Sequence, residues 1–149
     1  MYGDLPPTKI LLTDVVFTHQ DLDGTQTSWN VSQVDRDLKP LIEAGKIKIE
    51  MIPLEPWFVE LCFTGRGLEQ HRLDRLTDEA LESPTYWVHM KDDTHLLIDG
   101  THRYAYAGLT GKEFIKGVVL PEEIEQRARI EVPQIEDFDA YKSSFSGLL

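Results

Sequence analysis

The stretch "LLIDGTHRYAYAGLTG", Leu96–Gly111, decides how the chain is read. An apolar strand runs into Asp-Gly-Thr, and a helix then begins with His102 and Arg103 in its first turn. A helix N-terminus carries partial positive charge, so two cationic side chains there cost roughly 0.3–1 kcal/mol each. An anion held between them and the unpaired N–H groups reverses that cost. Gly100 permits a close backbone approach or a positive φ. Thr101 can cap the helix and present a hydroxyl. Arg103 offers a fork of donors matched to phosphate or carboxylate. His102 can donate a hydrogen bond or move a proton near neutral pH. Asp99 can orient the histidine, pair with Arg103, or bind a metal that bridges to phosphate. The plainer reading is a capped helix with a solvated His-Arg pair whose charge Asp99 balances. Local chemistry leaves the two readings level.

Outward from the turn, the chain reads as one α+β domain over residues 1–149. After a loose "MYGDLPPT", Lys9–Phe17 is β-branched and apolar, a strand pattern, and Thr18–Asn30 is a polar loop. A helix is predicted from Ser32 as N-cap, through Val34, Leu38 and Leu41/Ile42, ending at Gly45. Pro40 should bend or divide it. Lys46–Leu54 alternates as a strand does, and Pro56 opens a short apolar helix, "PWFVELCF". A charged helix over Leu68–Leu76 and one more turn over Thr77–Pro84 follow. "TYWVHM" and "HLLID" flank "KDDT" as a hairpin. The helix from Thr101 closes at Gly111, "EFIKGVVL" is a return strand, and "PEEIEQRARI" a last helix. Residues 132–149 are weakly patterned and read as a mobile or partner-binding tail.

Net charge is −11, with 26 acidic against 15 basic residues. Gripping a duplex backbone calls for a basic surface, so general DNA binding is disfavoured. That charge suits a soluble protein or a competitor for a basic partner. No run approaches the ~20 apolar residues of a membrane span and no leader is evident. With one cysteine, Cys62, the chain fits a reducing cytoplasm.

The segment "LLIDGTHRYAYAGLTGKEFIKGVVL", Leu96–Leu120, resembles the signature of the ParB/sulfiredoxin-like superfamily: strand, Gly-X-His-Arg turn, helix, return strand. The resemblance covers about a sixth of the chain closely. It implies a small mixed sheet with surrounding helices and a turn that binds nucleotide phosphates. Sulfiredoxins use ATP there, ParB proteins CTP, and a free-serine kinase branch ADP. Gly100, Thr101, His102 and Arg103 become phosphate-site residues by this resemblance, and Asp99 matches the kinase and phage-type branches. Thr101 stands where sulfiredoxins carry their catalytic cysteine, so sulfinic-acid repair is not expected. The Glu-Arg-Arg turn and helix-turn-helix domain of ParB proteins are missing too, so centromere clamping is not expected.

"GRGLEQHRLDRL" gathers Arg66, Glu69, His71, Arg72, Asp74 and Arg75. One reading is a solvated helix with internal ion pairs. The other is a second wall of the anion pocket, with Glu69 or His71 as general base and Arg66 or Arg72 on the phosphate, facing Arg103. With Lys91–Thr94 as hairpin loop, His89 and His95 should lie on opposite faces and share no metal. "DLDGTQTS" hints at a calcium loop through Asp21, Asp23 and Gly24 but lacks a third acidic ligand and a closing Glu, and so reads as an Asp-Gly turn. Trp29, Trp57 and Trp87 read as core, and "PEEIEQ" and "QIEDFD" as solvated acidic faces. The resulting expectation is a cytoplasmic, nucleotide-binding protein, using Mg²⁺ with ATP, ADP or CTP. Asp99 is the metal ligand, and Asp99, His102, Glu69 and His71 are the catalytic candidates of a phosphotransferase or nuclease-like hydrolase. The alternative is a non-enzymatic acidic inhibitor, phage-encoded for example, that occupies a basic protein partner.

Overall fold

Four consecutive residues, Thr85–Val88, are buried on one strand, which requires cover on both faces of its sheet. The computed structural model, which describes residues 2–3 and 5–130, supplies that cover. The chain runs β1 (Val16–Gln20), β2 (Gln26–Asn30), α1 (Val31–Glu43), β3 (Glu50–Pro53), α2 (Pro56–Gly65), α3 (Gln70–Asp74), β4 (Thr85–His89) and β5 (His95–Asp99). It continues through α4 (Thr101–Leu109), β6 (Phe114–Val119), α5 (Glu122–Ala128) and β7 (Arg129–Ile130). A 3₁₀ turn over Asp78–Glu82 precedes β4, where the sequence predicts one turn.

The central sheet has order β3-β6-β4-β5, antiparallel except for the parallel β4–β6 pair. Tyr86, Val88, Ile98 and Val118 project to one side and pack with Val34, Leu38 and Ile124 of α1 and α5. Trp87, Leu97 and Ile115 project to the other and pack with Phe58, Cys62 and Tyr104 of α2 and α4. The alternation of side chains along each strand therefore feeds two cores. A second sheet, β1-β2-β7, is antiparallel throughout. Among the described residues no helix is long and apolar enough to cross a membrane.

Several sequence expectations need correction. The strand expected over Lys9–Phe17 begins only at Val16, and the polar stretch Thr18–Asn30, expected as a loop, contains β2. Gln20 pairs with Gln26 around an Asp21–Thr25 turn with Gly24 at φ 89°. Polar strands of a two-sided edge hairpin carry little of the apolar signal used to find strands. Asn30, not Ser32, caps α1, its side chain accepting from Gln33 N–H at 3.1 Å. α1 continues unbroken past Pro40. β3 is shorter than Lys46–Leu54, and α3 shorter than Leu68–Leu76. Trp57 is 64% exposed and not core, whereas Trp29 and Trp87 are buried. Glu125, expected on a solvated face, is buried and accepts from Trp29 Nε1 at 2.9 Å. The suggested tail, 132–149, lies outside the described residues.

The β4–β5 hairpin also differs. His89 pairs directly with His95, and Met90 N–H closes the loop on Thr94 O at 2.8 Å. One more residue on the β4 side of the loop shifts the register by one, which moves the two histidines onto a single face. Their ring centroids are 5.2 Å apart.

Candidate functional site

β5 ends at Asp99 and the chain turns through Gly100 at φ 114°. A Cβ at Gly100 would lie 2.4 Å from Thr85 Cγ2, so the fold alone demands glycine there. Gly100 is also the residue that caps α4, which leaves Thr101 as the first helical residue rather than the cap. No side chain caps the helix, and the first closed turn is Tyr104 N–H to Gly100 O at 2.8 Å. The N–H groups of Thr101, His102 and Arg103 therefore precede the first intrahelical bond and point out of the helix end.

On one side of this end lies the segment joining α2 to α3. Arg66 Nε donates to Thr101 Oγ1 at 3.2 Å, and its Nη2 donates to Leu97 O on the outer edge of β5. The guanidinium sits 5.4 Å from the ring centres of both Phe17 and Phe58, a double cation–π contact. Among the described residues it has no carboxylate partner. Burial pulls its pKa down, yet a guanidinium stays charged at neutral pH. Gly67, at φ 68°, turns the chain back toward α4.

Glu69 N–H donates to His102 Nε2 at 2.9 Å. Nε2 is thus an acceptor, which places the proton on Nδ1 and makes the ring neutral. Burial, then the neighbouring Arg72, hold His102 below the ordinary histidine pKa. This resolves the cost of a histidine in a first helical turn: it carries no charge there. The Glu69 carboxylate lies 3.3 Å from His71 Nε2 and 3.8 Å from Arg72 Nη1, all three side chains more than half exposed.

Arg103 turns the other way. It donates to Asp99 Oδ2 at 3.0 Å, Ser83 O at 2.7 Å and Pro84 O at 3.1 Å. Its side chain therefore ties the strand end to the segment ahead of β4. Of the three roles open to Asp99 in the sequence, pairing with Arg103 is the one adopted. Burial raises the Asp99 pKa, Arg103 opposes this, and Asp35 adds to it. These groups line a cleft of about 490 Å³ together with Lys39 and Tyr86. The Tyr86 hydroxyl donates to Asp35, and burial with that carboxylate raises its pKa.

The predicted residues thus fall into two groups. Arg66, Glu69, His71, Arg72, Thr101 and His102 gather at the α4 N-terminus. Asp99 and Arg103 open onto the other cleft, so Arg66 meets Thr101 and not Arg103. Asp35, Lys39 and Tyr86 were not singled out by sequence, because helix α1 and strand β4 bring them together only through tertiary packing. Cys62 is fully buried with its thiol pushed up, which leaves it unsuited as a nucleophile. Among the described residues no three His, Cys, Asp or Glu side chains are grouped to hold a metal. Set against family models, curated proteins and solved structures, the chain matches none.

Proposed function

We propose that the N-terminus of α4 binds a phosphate group of a nucleotide or another small phosphorylated ligand. One observation carries the reading: Arg66, a half-buried cation without a carboxylate partner, rests on Thr101 beside an uncapped first turn. Outward N–H groups, a helix dipole and an uncompensated guanidinium make one anion site. Arg72, half exposed and 3.8 Å from its nearest carboxylate oxygen, can swing onto the same anion.

In this reading Thr101 and the N–H groups of the first turn hold the phosphate, and His102 positions the Glu69 segment over it. Glu69 and His71 are the candidates for moving a proton, and positioning with charge neutralisation would carry any phosphoryl or phosphodiester chemistry. Any Mg²⁺ would arrive with the ligand's own phosphates, because Asp99 is paired with Arg103 on the other cleft. A ParB/sulfiredoxin-like fold belongs to the same proposal. Its support is the order β5, Asp-Gly-Thr-His-Arg turn, α4, β6. The second reading, an acidic protein that occupies a basic partner, rests on the net charge of −11.

Thermal shift with ATP, ADP, CTP, GTP and pyrophosphate, with and without Mg²⁺, tests the proposal. A ligand at about 100 times its Kd should stabilise the fold by about 2.7 kcal/mol. Arg72→Ala, at an exposed position, should fold normally and lose most of that shift. No shift with any of these ligands overturns phosphate binding and favours the acidic-partner reading.

A further inference from the structure

The β4–β5 hairpin brings His89 and His95 face to face at the rim of a second cleft, of about 710 Å³, between the two hairpin loops. We propose that these two imidazoles chelate a borderline divalent cation of the Zn²⁺ type, at a site separate from the α4 turn.

With Zn–N near 2.1 Å and each ring centre about 1.1 Å beyond its nitrogen, tetrahedral coordination puts two imidazole centres about 5.2 Å apart. His89 and His95 stand at 5.2 Å, with ring planes inclined by 57°. Both residues are exposed, and as a directly opposed cross-strand pair they share one face of the ribbon.

Asp93 Oδ1 lies 3.2 Å from His89 Nε2, which leaves Nδ1 of that ring for a metal. A carboxylate on the far nitrogen is the arrangement that fixes and strengthens histidine ligands. His19 of the facing hairpin lines the same cleft and carries the same type of partner, Asp21 Oδ1 at 3.0 Å. Imidazole donors select Zn²⁺, Cu²⁺ or Ni²⁺ over Mg²⁺ and Ca²⁺.

Asp21, Asp23 and Asp92 line the cleft against Lys91 and Arg129, so the field there favours a cation. No third donor is grouped with the pair among the described residues, so water or a bound molecule completes the coordination and the site stays open.

Isothermal titration of the full chain with ZnCl₂, in a non-coordinating buffer, tests this. The expected result is one ion per chain with a Kd of about 10 μM, weakened about tenfold or more by His89→Gln and by His95→Gln separately. His71→Gln, on α3, should bind as wild type does. Circular dichroism checks that each variant is folded. Two results overturn the proposal: no saturable binding below about 1 mM, or unchanged binding in both hairpin variants. The readout needs no nucleotide, so it stands or falls apart from the phosphate site.

Discussion

The backbone N–H of Glu69 donates to His102 Nε2 across 2.9 Å, so that a side chain at the start of α4 holds the segment from α2 to α3 in place. Protonation of that nitrogen removes the acceptor and sets two donors against each other. Burial and Arg72 already lower the His102 pKa below its ordinary 6.5. Below pH 6.5 the unfolded chain therefore takes up a proton more readily than the folded one. The stability due to this contact is complete above pH 6.5 and is lost as the pH falls through the lower folded value. Denaturant unfolding of wild type and His102→Gln across pH 5–8 should show the wild-type advantage shrinking only on the acid side. Long-range ¹H–¹⁵N NMR should find the Nδ1–H tautomer at pH 7. An advantage independent of pH would contradict the assignment.

Arg103 is the residue whose reading changes most from sequence to structure. It is 17% exposed at its side chain and feeds two carbonyls and Asp99. Arg103→Ala should cost about 2–3 kcal/mol, because it strands a half-buried carboxylate and two acceptors. Urea unfolding measures this. Ligand-induced stabilisation, read relative to each variant's own baseline, should survive Arg103→Ala and fail in Arg66→Gln.

The central sheet was legible because β4, β5 and β6 are apolar runs punctuated by Gly100, Gly111 and Pro121, and the α4 turn because its chemistry is local. β2 was not, since Gln26, Thr27 and Ser28 carry no apolar alternation and pair only because β1 runs beside them, with β7 reaching Ser28. The one-residue register of His89 on His95 was equally hidden, because it depends on whether Met90 joins the loop. The division of the site had the same cause. Whether Arg103 faces a phosphate or Ser83 is decided by where the segment before β4 lies, which no spacing within the motif encodes.

Gly100 offers a test of packing at the turn. At φ 114°, with its absent Cβ 2.4 Å from Thr85 Cγ2, Gly100→Ala combines a disfavoured backbone with a steric overlap. Each contributes on the order of 1–3 kcal/mol. Thr85→Ser removes that methyl while keeping the hydroxyl that accepts from Trp87 Nε1 and donates to Lys116 O. The double variant should recover the steric part and keep the backbone part. If Thr85→Ser gives no rescue, the turn is not packed as described.

Asp37 anchors the opposite side of the molecule. It is completely buried on α1 and accepts from Arg127 Nε at 2.9 Å, Arg127 Nη2 at 3.1 Å and Gln33 Nε2 at 2.9 Å. Arg127 belongs to α5 and also donates to Pro6 O, so this one carboxylate joins two helices and the N-terminal segment. Breaking a buried pair leaves an uncompensated charge, so Arg127→Met should cost about 3–5 kcal/mol. Replacing both partners removes the charges together. Asp37→Leu with Arg127→Met should therefore be much closer to wild type than the sum of the single variants. The double-mutant cycle in urea unfolding gives that coupling directly, and additivity of the two losses would show that the carboxylate and guanidinium do not act as a pair.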